Sequence, residues 1–249
     1  IRNREKMQRE IEKFQPDFIF HMAAQALVID SYINPVETFQ TNVMGTVHVL
    51  DVLRELNHPC KAIMITTDKV YENQEREAPY SENEPLGGYD PYSNSKACCE
   101  LAISSYRLSF FNPEQHDEHK ISVASVRSGN VIGGGDWADD RIVPDCIKAW
   151  MQKESINIRS PKSVRAWNYV LDILTGYLMT AYHLEHANIN GEAFNLGPKM
   201  EGEISVKDLV DTLWGLWNDD SFQPYTISEQ DSNHFEPHHM KLNSEKAHY

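Results

Sequence analysis

The sequence has few of the features that mark membrane, secreted or nucleic-acid-binding proteins. No apolar run approaches the roughly 20 residues needed to cross a bilayer, and the chain opens with charged residues where a secretory signal would be apolar. Its 37 acidic residues outnumber its 23 basic residues, and the resulting net charge of −14 repels nucleic acid. These absences favour a cytoplasmic protein that binds neither membranes nor nucleic acid.

Cysteine and glycine are also sparse, at 4 and 12 residues. Cys98 and Cys99 are adjacent and no CxxC pair occurs, so neither a zinc site nor a disulfide framework is predicted. No GxGxxG or GxxGxxG occurs, and the one glycine cluster, at residues 133–135, lacks the spacing of a dinucleotide-binding turn. The histidines that come closest to a metal set are His234, His238 and His239. Their irregular spacing in a polar segment favours solvated side chains, so no metal is expected.

Short apolar runs alternate with long periodic segments in the first half of the chain. Residues 18–24, 62–66 and 121–126 are typical of strands buried on both faces. Apolar residues at helical spacing predict long helices over residues 35–56 and 93–110. The alternation predicts an α/β fold, with a Rossmann-like, doubly wound parallel sheet.

The predicted elements become shorter after Asn130. We expect helices over residues 141–151, 170–184 and 205–216, and short strands at residues 156–158 and 193–197. We therefore divide the chain into a partial Rossmann-like domain, residues 1–130, and a second region, residues 131–249. The second region should form mainly a smaller substrate-binding lobe, with some segments returning to the sheet.

Tyr92 and Lys96 stand four residues apart on a predicted helix, so both face one side of it. An ammonium group that close lowers the pKa of a tyrosine from about 10 toward neutrality. Such a tyrosine can take a proton from a sugar hydroxyl while hydride leaves the same carbon. The alternative is a tyrosine that packs on a lysine stem, because a YxxxK pattern alone is weak.

Polar or small residues follow two of the predicted strands. Thr66, Thr67, Asp68 and Lys69 follow the second strand, and residues 21–24, His-Met-Ala-Ala, end the first. Ligands of α/β sheets bind outside the carboxyl ends of the strands, where these residues stand. A helix cap or a polar turn would account for the Thr-Asp pair equally well.

The chain contains four motifs in this order: HxAA, TTD, YxxxK and Arg127-x-x-Asn130. In these motifs it resembles the extended short-chain dehydrogenases/reductases that act on nucleotide sugars. The acidic Asp68 directly after Thr67 is similar to the 4,6-dehydratase branch of that family. In dehydratases of dTDP-glucose a glutamate follows this aspartate, whereas here Lys69 follows it. This difference narrows the resemblance to enzymes acting on CDP-glucose. The strings at residues 84–92 and 129–137 resemble the same enzymes.

The resemblance implies a lyase that uses NAD in an internal redox cycle. Hydride leaves C4 of the glucose, water is lost across C5 and C6, and hydride returns to C6, giving CDP-4-keto-6-deoxyglucose. It also implies a homodimer or homotetramer assembled through the two long helices. The pathway that uses the product stays open between surface glycans and antibiotic sugars.

The family's motifs also imply residue roles. Tyr92 would be the base at O4 and Lys96 would assist it, Thr67 would hydrogen-bond O4, and Asp68 would protonate the departing C6 hydroxyl. The implied catalytic residues are Thr67, Asp68, Lys69, Tyr92 and Lys96. The implied cofactor-binding residues are Ala23, Ala24, Asn42, Thr66, Tyr92 and Lys96. The implied substrate-binding residues are Asn130, Trp137, Arg141 and Arg165.

Three questions stay open at this stage. Lys69 would act at C5 either as a base, which requires a lowered pKa, or as a cation that stabilises the enolate. The family's glycine-rich turn comes before these motifs, so we expect about 60 residues ahead of Ile1. The alternatives in function are another enzyme of the superfamily, such as an epimerase or decarboxylase, and a non-catalytic nucleotide-sugar-binding protein.

Overall fold

The computed structural model describes residues 1–184, 189–198, 204–219, 221–227 and 239–248. Its strands are β1 Phe18–His21, β2 Cys60–Ile65, β3 Ile121–Ser128, β4 Asn130–Ile132, β5 Ile156–Ile158, β6 Val164–Arg165, β7 Trp167–Tyr169, β8 Ala193–Leu196, β9 Tyr225–Ile227 and β10 His239–Met240. Its α-helices are α1 Arg4–Phe14, α2 Val28–Ile33, α3 Pro35–Phe39, α4 Gly45–Arg54, α5 Pro91–Ser109, α6 His116–His119, α7 Ile142–Met151, α8 Val170–His183 and α9 Val206–Trp217. None of the helices in these ranges is long and apolar enough to cross a membrane.

The main sheet is parallel, in the order β1-β2-β3-β8, with helices on both faces. All eight residues of β3 are buried, as expected for a strand covered on both sides. Leu50 of α4 and Ile103 of α5 pack against one face. Ile173 and Tyr177 of α8 pack against the other. The predicted doubly wound α/β fold is confirmed.

A smaller group of elements has a core of its own. Cys146 and Trp150 of α7, Ile158 of β5 and Val210 of α9 pack together, apart from the two faces of the main sheet. By contrast, β8 and α8 follow residue 131 yet belong to the main sheet. The division into domains at residue 130 stays a prediction.

The predicted helix over residues 35–56 is not a continuous α-helix. A π-helical stretch, Gln40–Met44, separates α3 from α4. A π turn widens the helix by one residue, and such turns are frequent at functional sites. Here the stretch contains Asn42, which is 1% exposed and points into the protein.

The second long helix begins earlier than predicted. Asp90 caps α5 by accepting a hydrogen bond of 2.9 Å from the backbone nitrogen of Ser93, and Pro91 occupies the first turn. The predicted start of this helix, residue 93, is therefore two residues too late. As a result, Tyr92 lies in the rigid first turn of a helix.

A buried ion pair joins α5 to β3. Arg127 Nη2 lies 2.7 Å from Glu100 Oε2, and both side chains are about 5% exposed. The same carboxylate accepts hydrogen bonds from Thr66 (2.5 Å) and Ser125 (2.9 Å). Burial opposes the charge of Arg127, but the Glu100 carboxylate outweighs it and holds the pKa of the guanidinium above its usual value.

We predict that Glu100→Ala destabilises the fold by about 3–5 kcal/mol, because it leaves the Arg127 charge buried without a partner. Urea unfolding of wild type and variant measures the difference. The control is Asp211→Ala, which breaks the Lys207–Asp211 pair, whose side chains are both 44% exposed. It should leave the unfolding midpoint unchanged. Equal effects of the two substitutions would contradict the prediction.

Candidate active site

The carboxyl ends of β1, β2 and β3 meet at one edge of the sheet because the three strands are parallel. A cavity of about 790 Å³ opens beside this edge. Eight of the predicted site residues line it: Thr67, Asp68, Lys69, Tyr92, Asn130, Trp137, Arg141 and Arg165. The structure thus brings the predicted substrate residues together with four of the five predicted catalytic residues.

Thr67 is at the centre of the catalytic group. Its hydroxyl donates to Asp68 Oδ1 over 3.0 Å and is hydrogen-bonded to the hydroxyl of Tyr92. Asp68 is 2% exposed, and its second oxygen, Oδ2, has no hydrogen-bond partner. Gly129 makes room for that oxygen, because a Cβ at this position would lie 3.0 Å from it.

Burial dominates the electrostatics of the group. It raises the pKa of Asp68, against the opposing effects of Lys69 and Thr67. It also raises the pKa of Tyr92 to about 12, and the carboxylates of Asp68 and Asp90 add to the shift. Both side chains are therefore arranged to carry a proton.

The effect of Lys96 on the pKa of Tyr92 stays a prediction, because burial and the carboxylates of Asp68 and Asp90 account for the rise in that pKa. Lys96 Nζ donates to the carbonyl oxygen of Ile65 over 3.0 Å, so the ammonium group is directed at the end of β2. Burial in turn lowers the pKa of Lys96. The two side chains share a helix face, and the hydrogen bond of Lys96 goes to the backbone of Ile65 and not to Tyr92.

The predicted cofactor residues fall into two groups. Ala23 and Ala24 follow β1 directly at the sheet edge, and Lys96 lies at the end of β2. Asn42 instead binds the loop after β1, accepting from the backbone nitrogen of Gln25 over 2.8 Å and donating to its carbonyl oxygen over 3.0 Å. The Thr66 hydroxyl is bound by Glu100. Asn42 thus holds the backbone after β1 and Thr66 is bonded to a buried carboxylate, and the cofactor roles of both stay a prediction.

The predicted substrate residues surround the other side of the cavity. Arg141 Nη1 pairs with Asp136 Oδ2 over 2.7 Å, and Trp137 beside it is 57% exposed. Arg165 lies close enough to Asp68 to oppose the rise in the pKa of that carboxyl group. With Arg159, three arginines line the cavity, which suits an anionic ligand despite the acidic chain.

Sequence reasoning missed the residues beneath the site. Tyr71 donates to Asn195 over 2.7 Å and accepts from Arg127 over 2.9 Å, all within the core. Glu100 follows Lys96 by one helical turn, but only its buried contacts show its role. Gly88, within residues 84–92, allows close packing of the backbone. A Cβ at this position would lie 2.2 Å from the backbone of Ser93.

No group of three or more His, Cys, Asp or Glu side chains is placed to hold a metal ion in the described part of the chain. His234 and His238 lie outside the described residues, and His239 begins β10.

Comparison with known proteins places the chain in a family. The model described as GDP-mannose 4,6 dehydratase matches residues 1–247. A CDP-glucose 4,6-dehydratase from Salmonella typhimurium is 46% identical over 249 residues, which cover 99% of this chain and 68% of the relative. The chain belongs to the GDP-mannose 4,6 dehydratase family, which agrees with the predicted resemblance to nucleotide-sugar dehydratases.

Solved structures show the same fold. The X-ray structure of Pal from Bacillus thuringiensis matches with a TM-score of 0.81 at 24% identity, over 99% of this chain and 73% of that one. A dTDP-glucose 4,6-dehydratase double mutant from Streptomyces venezuelae, with NAD bound, matches with a TM-score of 0.80 at 21% identity, over 99% and 70%. At these identities the likeness concerns the fold alone.

His21, at the end of β1, yields a prediction about pH. Its Nε2 lies 3.0 Å from Thr46 Oγ1, and burial, with Lys96 nearby, lowers its pKa to about 4. The pKa of histidine in an unfolded chain is near 6.5. As the pH falls from about 6.5 to about 4, a proton therefore binds His21 in the unfolded chain but not in the folded one. Between pH 7 and pH 5 this should lower the free energy of unfolding by about 2 kcal/mol.

We predict that His21→Gln removes this part of the loss of stability between pH 7 and pH 5. Urea unfolding of wild type and variant at both pH values measures the loss. Equal losses in the two proteins would contradict the prediction.

Proposed function

We propose that the chain is the catalytic part of an NAD-dependent 4,6-dehydratase of CDP-glucose. The observation that carries the proposal is Asp68, a fully buried carboxyl group with a raised pKa, held by Thr67 opposite the Tyr92 hydroxyl. A dehydratase needs an acid for the leaving hydroxyl in addition to the base at O4. The name of the relative that is 46% identical supports the same assignment.

The strand-end residues fit the nicotinamide half of NAD. Ala23 and Ala24 leave room for a flat ring after β1, and Tyr92 and Lys96 stand beside the end of β2. Structures that match in fold have NAD bound. When bound, NAD accepts the hydride from C4 of the sugar and returns it to C6.

The residues of the chain supply the proton transfers. Tyr92 takes the proton of the O4 hydroxyl, and Thr67 holds O4 as it becomes a ketone oxygen. Because Asp68 raises the pKa of Tyr92 when charged, a protonated Asp68 makes the tyrosine easier to ionise. The proton on Asp68 therefore serves both the oxidation and the later elimination.

Elimination needs a group at C5 and an acid at O6. Lys69 directly follows Asp68 and lines the cavity, so it reaches the same sugar. It removes the C5 proton, and the ammonium group so formed holds the enolate charge, while Asp68 protonates the C6 hydroxyl, which leaves as water. Arg141 and Arg165 bind the diphosphate, and Asn130 and Trp137 lie beside it. Arg141 leaves its ion pair with Asp136 and binds phosphate oxygens instead.

We predict that Tyr92→Phe in the full chain lowers turnover of CDP-glucose by about a hundredfold or more. This is the rate acceleration that one general acid–base group typically supplies. Binding of CDP-glucose should persist, because the ring still packs. The control is Tyr182→Phe, which removes the same atom from a tyrosine that is 68% exposed on α8. Formation of the 4-keto product, followed by its absorbance, gives the rates. Near-normal turnover of the Tyr92 variant would refute the role given to this residue.

We further propose that two copies of the chain associate through α3, α4 and α5. These helices pack on each other and leave large apolar side chains exposed: Val36, Met44, Leu101 and Leu108 are 45–70% exposed. A second copy would cover this surface and bury apolar area on both sides.

Light scattering of the full chain tests the association. Wild type should have the mass of a dimer or tetramer, and Leu101→Asp with Leu108→Asp should shift it toward monomer. Leu178→Asp on α8, where the side chain is 62% exposed, is the control and should not change the mass. A wild type that is monomeric at all concentrations would contradict the proposal.

A further inference from the structure

The cavity continues past the catalytic residues to a second end between α7 and β5, which we term the far end. The polar residues that line it are Asp140, Asp145, Asn157, Arg159 and Ser160. Glucose and diphosphate are common to all nucleoside diphosphate glucoses, and the catalytic end would hold them. Discrimination between nucleotides must therefore come from the far end, where the base would lie.

Asp145 is the residue at the far end with unmet hydrogen-bonding capacity. It lies on α7, is half-buried, and its carboxylate makes no hydrogen bond or ion pair with the described residues. The two cations near it are already paired. Lys148 Nζ lies 2.5 Å from Asp139 Oδ1, and Arg159 Nη2 lies 3.7 Å from Asp140 Oδ1.

The surroundings of Asp145 favour a hydrogen-bond donor as its partner. Burial raises the pKa of this carboxyl group, and the nearby Asp140 and Asp139 carboxylates add to the rise against Lys148. A half-buried acceptor without a partner is costly, and a ligand that donates a hydrogen bond removes the cost. Position 4 of a pyrimidine is such a donor in cytosine, where it is an amine, and an acceptor in uracil and thymine, where it is a carbonyl oxygen.

Asn157 is the competing candidate, because it too lines the far end and its side chain has no hydrogen bond to the described residues. Its amide carries an acceptor and a donor, and by turning over it can match either base. A carboxylate only accepts, so it binds the amine and repels the carbonyl. A repulsive element of this kind is what discrimination requires.

We propose that Asp145 determines the base specificity of the enzyme. Its carboxylate accepts a hydrogen bond from the exocyclic amine of a cytosine base and excludes nucleotides that carry a carbonyl oxygen there. The inference rests on the proposed function, because it takes the cavity to be a nucleotide-sugar site.

Binding of CDP and UDP to the full chain, measured by titration calorimetry, tests Asp145 without any turnover. The two ligands differ only in the base edge, at positions 3 and 4. Wild type should prefer CDP by about tenfold to a hundredfold. Asp145→Asn should reduce the preference about tenfold or more, partly through tighter binding of UDP, because an amide can turn to meet the carbonyl. Tighter UDP binding is a gain that mere damage to the fold does not produce.

Two controls separate base recognition from other effects. Asn157→Ala should weaken the binding of CDP and UDP to the same extent and leave the preference for CDP unchanged. Lys69→Ala should lower the rate of water elimination from CDP-glucose and UDP-glucose alike, without changing the preference, because Lys69 acts at the sugar. If Asp145→Asn does not fold, Asp145→Ser removes the same charge and gives the same comparison.

The outcomes are distinct. An unchanged preference in the Asp145 variants, or a preference lost in Asn157→Ala alone, overturns the inference. A wild type that dehydrates CDP-glucose yet binds CDP and UDP equally also overturns it and leaves the proposed function standing. A wild type that prefers CDP but dehydrates no nucleotide sugar contradicts the proposed function, while the response of the Asp145 variants still decides the inference.

Discussion

The buried carboxylate of Glu100 ties together the three segments that form the site. It pairs with Arg127 at the end of β3, accepts from Thr66 at the end of β2, and is itself part of α5, which carries Tyr92 and Lys96. A charge buried this deeply is stable only when its partners are all in place. The relative positions of tyrosine, threonine and aspartate therefore depend on one ion pair that touches neither substrate nor cofactor.

The chemistry at this edge depends on burial as much as on charge. Burial raises the pKa of both Asp68 and Tyr92 and so favours the protonated form of each: Asp68 keeps a proton that it can donate, and Tyr92 must lose its proton before it can act as a base. The Thr67 hydroxyl lies between them and bonds to each. Loss of charge at Asp68 makes ionisation of Tyr92 easier, so the acid and the base of the proposed cycle are coupled through one hydroxyl.

The strands of the main sheet and the cleft at their ends could be predicted from the sequence, because buried parallel strands and their carboxyl ends have a strong local pattern. The pKa of Tyr92 could not, since its spacing to Lys96 does not reveal that the ammonium group bonds to the carbonyl of Ile65. The π turn at Asn42 and the role of Glu100 depend on contacts between residues more than 15 positions apart. No sequence pattern marks Asp145, because the pairing of the two cations beside it with Asp139 and Asp140 depends on the folded structure.

The central claim is that one site oxidises C4, eliminates water and reduces C6 without releasing the hydrogen. It is tested most directly by giving the full chain CDP-glucose labelled with deuterium at C4 and examining the product by NMR. The account predicts a 4-keto sugar whose new methyl group at C6 carries the deuterium. A product that keeps its C6 hydroxyl, or a methyl group without the label, would contradict it.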